Sequence, residues 1–165
     1  MAINLIVDRS QSDIDRYEYL HAIPFDEMSE DEQQEWLSNL KGCYNASDLN
    51  RVNESCIELI SLMKSVGYHG HGNFKTDWTM YDYPTKENTD NYLSQIYGLI
   101  NDFYKRTEYA LPEDMTAFTY EQANDIEKAL LDIKEVCENI KKLWNVYSGQ
   151  RNSNNNAYGL RGYCL

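Results

Sequence analysis

TYEQANDIEKALLDIKEVCENIKKLWNVY, residues 119–147, decides the fold class. Ala123, Ile126, Leu130, Ile133, Val136, Cys137, Ile140, Leu143, Trp144 and Tyr147 recur at steps of three and four, which lines them along one face of a helix of about seven turns. Thr119 opens this helix and Gln122 stands three residues on, the spacing of a capping box. A stripe this long needs other long helices to bury it, and the chain supplies two.

Upstream, Leu49, Val52, Cys56, Leu59, Ile60, Met63 and Val66 repeat the period behind the cap Asn45 and its partner Asp48, and Gly67 ends the run. Between the two, Pro84-Thr85 starts a helix with Thr85 as cap and Tyr92, Leu93, Ile96, Tyr97, Ile100, Phe103 and Tyr104 as its stripe. Two shorter helices come first. One runs through 13–20, capped by Asp8, Ser10 or Ser12. The other covers 30–40 behind the Ser29/Glu32 box, with Trp36, Leu37 and Leu40 on its apolar side.

These elements predict an all-α protein: a helical bundle of three longer helices plus shorter N-terminal helices, with a flexible C-terminal tail. The helical domain covers 1–147. From Ser148 the apolar period stops, and 148–165 reads as a polar C-terminal tail or an arm ordered by a partner. A chain of 165 residues has room for one ordinary domain with a real core.

A formal net charge of −12 repels nucleic-acid phosphates and anionic lipid, so neither is expected as the main partner. No run approaches the roughly 18 apolar residues of a membrane span. Cys43, Cys56, Cys137 and Cys164 show no CxxC spacing, which predicts reduced thiols and assembly in a cytoplasm. Tyrosine outnumbers phenylalanine 14 to 4; its rigid apolar body and polar tip suit both core edges and contact surfaces.

Catalytic signals are thin. No P-loop, GxSxG or GxGxxG is present, and the paired acids at helix starts, such as Asp31-Glu32 and Glu113-Asp114, serve the helix dipole. His69 and His71 are the one spacing that suggests a metal, with Asp77 or Asp82 to complete the set, although the glycines around them fit a plain exposed turn. No cofactor is expected. Trp78 in the charged, aromatic stretch 75–78 either anchors its loop on the core or meets a partner, and Tyr81, Tyr83 and Tyr158 are further candidates for partner contact. Asn45, Asp48, Asn50 and Arg51 read as a polar network that holds a helix start.

Several blocks carry a resemblance. Residues 40–52, LKGCYNASDLNRV, resemble the KGAYNATDLNRV signature of a family of minor structural proteins of phages and prophages of Firmicutes. Residues 8–13 are similar to its DRTQADV. Lys75-Thr76-Asp77-Trp78 with Asp82-Tyr83-Pro84-Thr85 resembles KTDW…DxPT, and 91–93 resembles RYL. Residues 111–128 resemble LPxxMxxLTYxxANDIEK, and Tyr147-Ser148-Gly149 resembles the opening of YSGE. Cys43 stands where that family usually has Ala, and Gln150 where it often has Glu.

The resemblance implies a non-enzymatic structural protein, associated with the tail or baseplate of a virion and assembled in the bacterial cytoplasm. It also implies contacts with other phage structural proteins or with further copies of itself, and it brings no catalytic residues. The acidic surface suggests an alternative, a soluble assembly adaptor or chaperone that masks a basic partner. A third reading is a metal-dependent hydrolase built on His69 and His71.

Overall fold

The structure is a computed structural model that describes residues 3–38, 40–103 and 109–159, with side chains described as far as Asn145. Among the described residues the chain is all-helical: α1 (Gln11–His21), a single 3-10 turn (Phe25–Glu27), α2 (Glu30–Leu37), α3 (Ala46–Ser65), α4 (Lys86–Phe103) and α5 (Tyr120–Gly159).

Helix starts follow local chemistry. In α1 the carboxylate of Asp13 accepts from the backbone N–H and the hydroxyl of Ser10 at 2.8 and 2.7 Å. Ser29 and Glu32 form the box of α2. Asn45 accepts from the Ser47 N–H at 2.8 Å while Asp48 reaches back to the Asn45 N–H at 3.1 Å. Thr85 pairs with Asn88 ahead of α4, and Thr119 with Gln122 ahead of α5. These contacts satisfy N–H groups that have no acceptor inside the helix. At the other end of α3, Gly67 takes φ 84° and the N–H groups of Gly67 and Tyr68 bond back to Lys64 and Met63, a Schellman closure.

The core lies between α3, α4 and α5. Val52, Cys56, Leu59 and Met63 from α3 meet Leu93, Ile96, Leu99 and Ile100 from α4 and Ile126, Leu130, Ile133 and Cys137 from α5. α1 and α2 form a hairpin beside this core. Tyr17 stacks on Trp36 with centroids 5.9 Å apart, and Arg16 grips Glu35 with two hydrogen bonds. Tyrosines line the core edge with their hydroxyls paired: Tyr44 with Tyr92 at 2.6 Å, Tyr109 with Asp132 at 2.6 Å, and Tyr97 with the Pro112 carbonyl.

Several features differ from the pattern of the sequence: Val136, Leu143 and Trp144 of the last stripe are exposed. α2 stops at Leu37, whose side chain is exposed rather than buried. Leu99 joins the α4 core although it stood outside the expected stripe. α5 continues through Ser148 and Gly149 to Gly159, because no proline interrupts it and Gly149 does not turn the chain. Tyr104 lies outside the described residues, as do Cys164 and the last residues of the tail.

Cys56 and Cys137 are buried, and burial pushes the Cys56 thiol far above its ordinary range and that of Cys137 up to about 11. Because only thiolate is alkylated, both are expected to resist iodoacetamide at pH 8 in the folded chain and to react fully in denaturant. Mass spectrometry reads the difference. Rapid native labelling of either would place its helix face outside the core.

Candidate functional site

Two places concentrate chemistry. The first is buried. An extended N-terminal segment, residues 3–10, crosses α3 and α5 and sends Arg9 into the interior. Its guanidinium meets Asp48 at 2.9 Å and Glu127 at 2.9 Å. Arg51, one turn after Asp48, meets the same two carboxylates, at 2.6 Å to Asp48. Glu127 is fully buried and Asp48 and Arg9 nearly so. Asn124 fastens the segment's backbone by accepting from the Arg9 N–H at 3.1 Å and donating to the Arg9 carbonyl at 2.8 Å. The Ile6 N–H donates to Glu127 as well. The Arg9 guanidinium lies 5.4 Å from the centre of the Tyr44 ring, and burial raises the Tyr44 and Tyr92 hydroxyls well above their ordinary range.

Two guanidiniums face two carboxylates, so the cluster is neutral as a whole. All four carboxylate oxygens are taken: both of Glu127 and Oδ1 of Asp48 by the arginines, and Oδ2 of Asp48 by the Asn45 N–H. Each of these oxygens therefore already accepts at least one hydrogen bond from the protein. Chemically the arrangement is a clamp between the N-terminal segment, α3 and α5. Of the polar network expected around Asn45, Asp48, Asn50 and Arg51, Asn45, Asp48 and Arg51 are joined here together with Arg9 and Glu127, whereas the Asn50 side chain bonds to the Trp78 backbone instead.

The second place is a groove of about 790 Å³ between the end of α2, the start of α3 and the loop at 78–84. Leu37, Leu49, Trp78, Met80 and Pro84 give it an apolar wall. Asn50 holds the loop by donating to the Trp78 carbonyl and accepting from the Trp78 N–H, each at 2.8 Å, and Asn53 donates to the Lys75 carbonyl at 2.6 Å. Lys75 stands 4.3 Å over the Trp78 ring and pairs with Asp77. Asp82 is held below its ordinary range, mainly by the Thr79 backbone N–H and then by its hydroxyl.

Of the expected contact residues, Trp78 is half-buried against the core and anchors the loop, while Tyr81 is 82 % and Tyr83 92 % exposed, next to Met80 at 82 %. The side chain of Tyr158 lies outside the described residues. His69 and His71 are both exposed, on either side of the buried Gly70, whose Cα faces Leu99, Ile60 and Met63. Asp77 and Asp82 have other partners, as above. Among the described residues no three His, Cys, Asp or Glu side chains are grouped to hold a metal ion, and no helix is long and apolar enough to cross a membrane.

Leu37 and Met80 were not expected to line a surface, and Arg9, Asn124 and Glu127 were not expected to be buried together. One signal for Glu127 is present in the sequence: it sits four residues after Ala123 and three before Leu130, so it shares their face.

Asn50→Ala removes both bonds to Trp78 and leaves its backbone N–H and carbonyl without these partners. The expected cost is about 1–3 kcal/mol in urea unfolding, with faster hydrogen exchange at the Trp78 amide. An unchanged Trp78 amide would show that the loop is held by its other contacts.

No family model, no curated protein and no solved structure matches the chain.

Proposed function

We propose that this chain is a non-enzymatic structural component of a phage or prophage particle, at the tail or baseplate, and that it works through contacts with other structural proteins. The motif blocks at 8–13, 40–52, 75–85 and 111–128 support this reading. The observation that carries it is the display at 80–83: Met80, Tyr81 and Tyr83 project into solvent from a loop pinned to α3 by Asn50 and Asn53. Large apolar and aromatic side chains on a fixed backbone lose little conformational freedom when a partner covers them, which is what a binding surface needs. The buried charges add to the same picture, since they hold the N-terminal segment and two helices together.

Mass spectrometry of purified particles tests the proposal. The chain is expected there in fixed stoichiometry, and Tyr81→Ala combined with Tyr83→Ala is expected to reduce its incorporation without unfolding it. Absence of the chain from intact particles would overturn the proposal.

The soluble adaptor reading has one observation in its favour. Residues 11–38 hold nine acidic residues against Arg16 alone, and Glu18, Asp26, Glu27, Glu30 and Asp31 are exposed. A basic partner captured only from cells blocked in assembly, with the chain missing from finished particles, would favour that role.

A further inference from the structure

Where the loop at 73–78 meets α3, two polar atoms are shut off from solvent without a hydrogen-bond partner among the described residues: Oδ1 of Asn53 and Nε1 of Trp78. Asn53 is 3 % exposed, and its amide cannot be turned round, because Nδ2 donates at 2.6 Å to the Lys75 carbonyl, which can only accept. Trp78 is fixed as firmly, with its backbone N–H and carbonyl both bonded to Asn50, one turn before Asn53 on α3. An orphaned buried donor or acceptor costs about 1–3 kcal/mol, so native folds leave few of them. Here both residues line one pocket of about 60 Å³, with Asn73, Asn88, Asn91 and Gln95 as further polar walls. The Gln95 and Asn88 oxygens already accept from the Asn73 and Thr85 N–H groups and so do not serve the indole. A wall this rich in amides is unlike the apolar cavities that stay dry.

We propose that this pocket is a hydration site, in which bound water accepts a hydrogen bond from Trp78 Nε1 and donates one to Asn53 Oδ1. The two orphans are opposite in kind, one a donor and one an acceptor, and this selects the ligand. A metal ion cannot accept from an indole N–H, and a halide cannot donate to an amide oxygen. Water does both, and 60 Å³ has room for about two molecules at the roughly 30 Å³ each takes in the liquid. Lys75 lies over the face of the indole and pairs with Asp77, so it serves neither orphan. Water bound here ties the side chain of Trp78 to α3, as Asn50 already ties its backbone. The site goes beyond the particle reading and stands whether or not the chain enters a particle.

Water-contact NMR of the full-length chain tests it. The Trp78 indole N–H is assigned as the resonance lost in Trp78→Phe. In the wild type it is expected to show a cross-peak to water with opposite signs in the laboratory and rotating frames, which marks a molecule that tumbles with the protein and excludes proton exchange. Asn53→Leu removes the acceptor and is expected to lose that cross-peak while the indole resonance remains, with circular dichroism to check that the variant is folded. Should it not fold, the wild-type spectrum decides alone. A wild-type indole with no water cross-peak, or with the signs of bulk solvent, would overturn the proposal. So would a cross-peak unchanged in folded Asn53→Leu, or a crystal structure in which Asn53 Oδ1 and Trp78 Nε1 pair with each other or with another protein group.

Discussion

Glu127→Gln is expected to lower the free energy of unfolding by about 3–5 kcal/mol. Glu127 has no exposed surface and receives Arg9 at 2.9 Å and Arg51 at 3.0 Å, together with the Ile6 N–H. Glutamine keeps the size of the side chain but removes its charge, so two buried guanidiniums are left with Asp48 as their one carboxylate. The amide group also turns a donor toward groups that can only donate. Removing one partner of a buried ion pair costs far more than the intact pair contributes, because the remaining charge stays out of water. Urea unfolding should show a lower midpoint at an unchanged slope. Glu35→Gln is the matched control: it breaks the bidentate contact with Arg16 at the surface, where both side chains are more than a third exposed, and should cost less than about 1 kcal/mol. Equal effects of the two substitutions would mean that water reaches Glu127.

Gly42→Ala is expected to cost about 3 kcal/mol and to act on one part of the molecule. A Cβ at Gly42 would lie 2.1 Å from the Asp13 carbonyl oxygen, 2.6 Å from its carbonyl carbon and 2.9 Å from the Tyr17 Cβ. Two of these are backbone atoms of the first turn of α1, which no rotamer change can move aside. The helix itself has to shift, and with it the stack of Tyr17 on Trp36 and the grip of Arg16 on Glu35. Hydrogen exchange should therefore quicken across α1 and α2 while α3, α4 and α5 keep their protection. Uniform loss of protection would show instead that the hairpin and the core unfold as one unit.

The parts of this fold that can be read from the sequence are those in which cause and effect lie within about one turn. Ser29 with Glu32, Asn45 with Asp48, and Thr119 with Gln122 are spaced three apart, and each forms the cap its spacing implies. The stripes of α3 and α4 are nearly complete for the same reason. Periodicity says which face of a helix is apolar, but not how far its neighbours extend. Leu143 and Trp144 continue a stripe whose covering helices have ended, and Leu37 points from the last turn of α2 into an open groove.

The candidate site divides along the same line. Tyr81 and Tyr83 could be named from composition and context, because an aromatic cluster in a loop has few places to hide. The clamp could not be assembled this way: Arg9 and Glu127 are far apart in the chain, and although Glu127 shares the face of Ala123 and Leu130, nothing in the sequence names its partner. Their meeting depends on the packing of α3 against α5, which no local pattern encodes.

That separation has a consequence during synthesis. Arg9 leaves the ribosome ahead of the residue that neutralises it, Glu127, by roughly 6–24 s at ordinary elongation rates. Over that interval the N-terminal segment has neither Asn124 to hold its backbone nor Glu127 to receive its guanidinium, and Asp48 is the one carboxylate of the clamp that can meet Arg9. This segment is thus made well before the helix that locks it. A nascent chain that stalls before α5 is made carries this segment without the two side chains that fasten it.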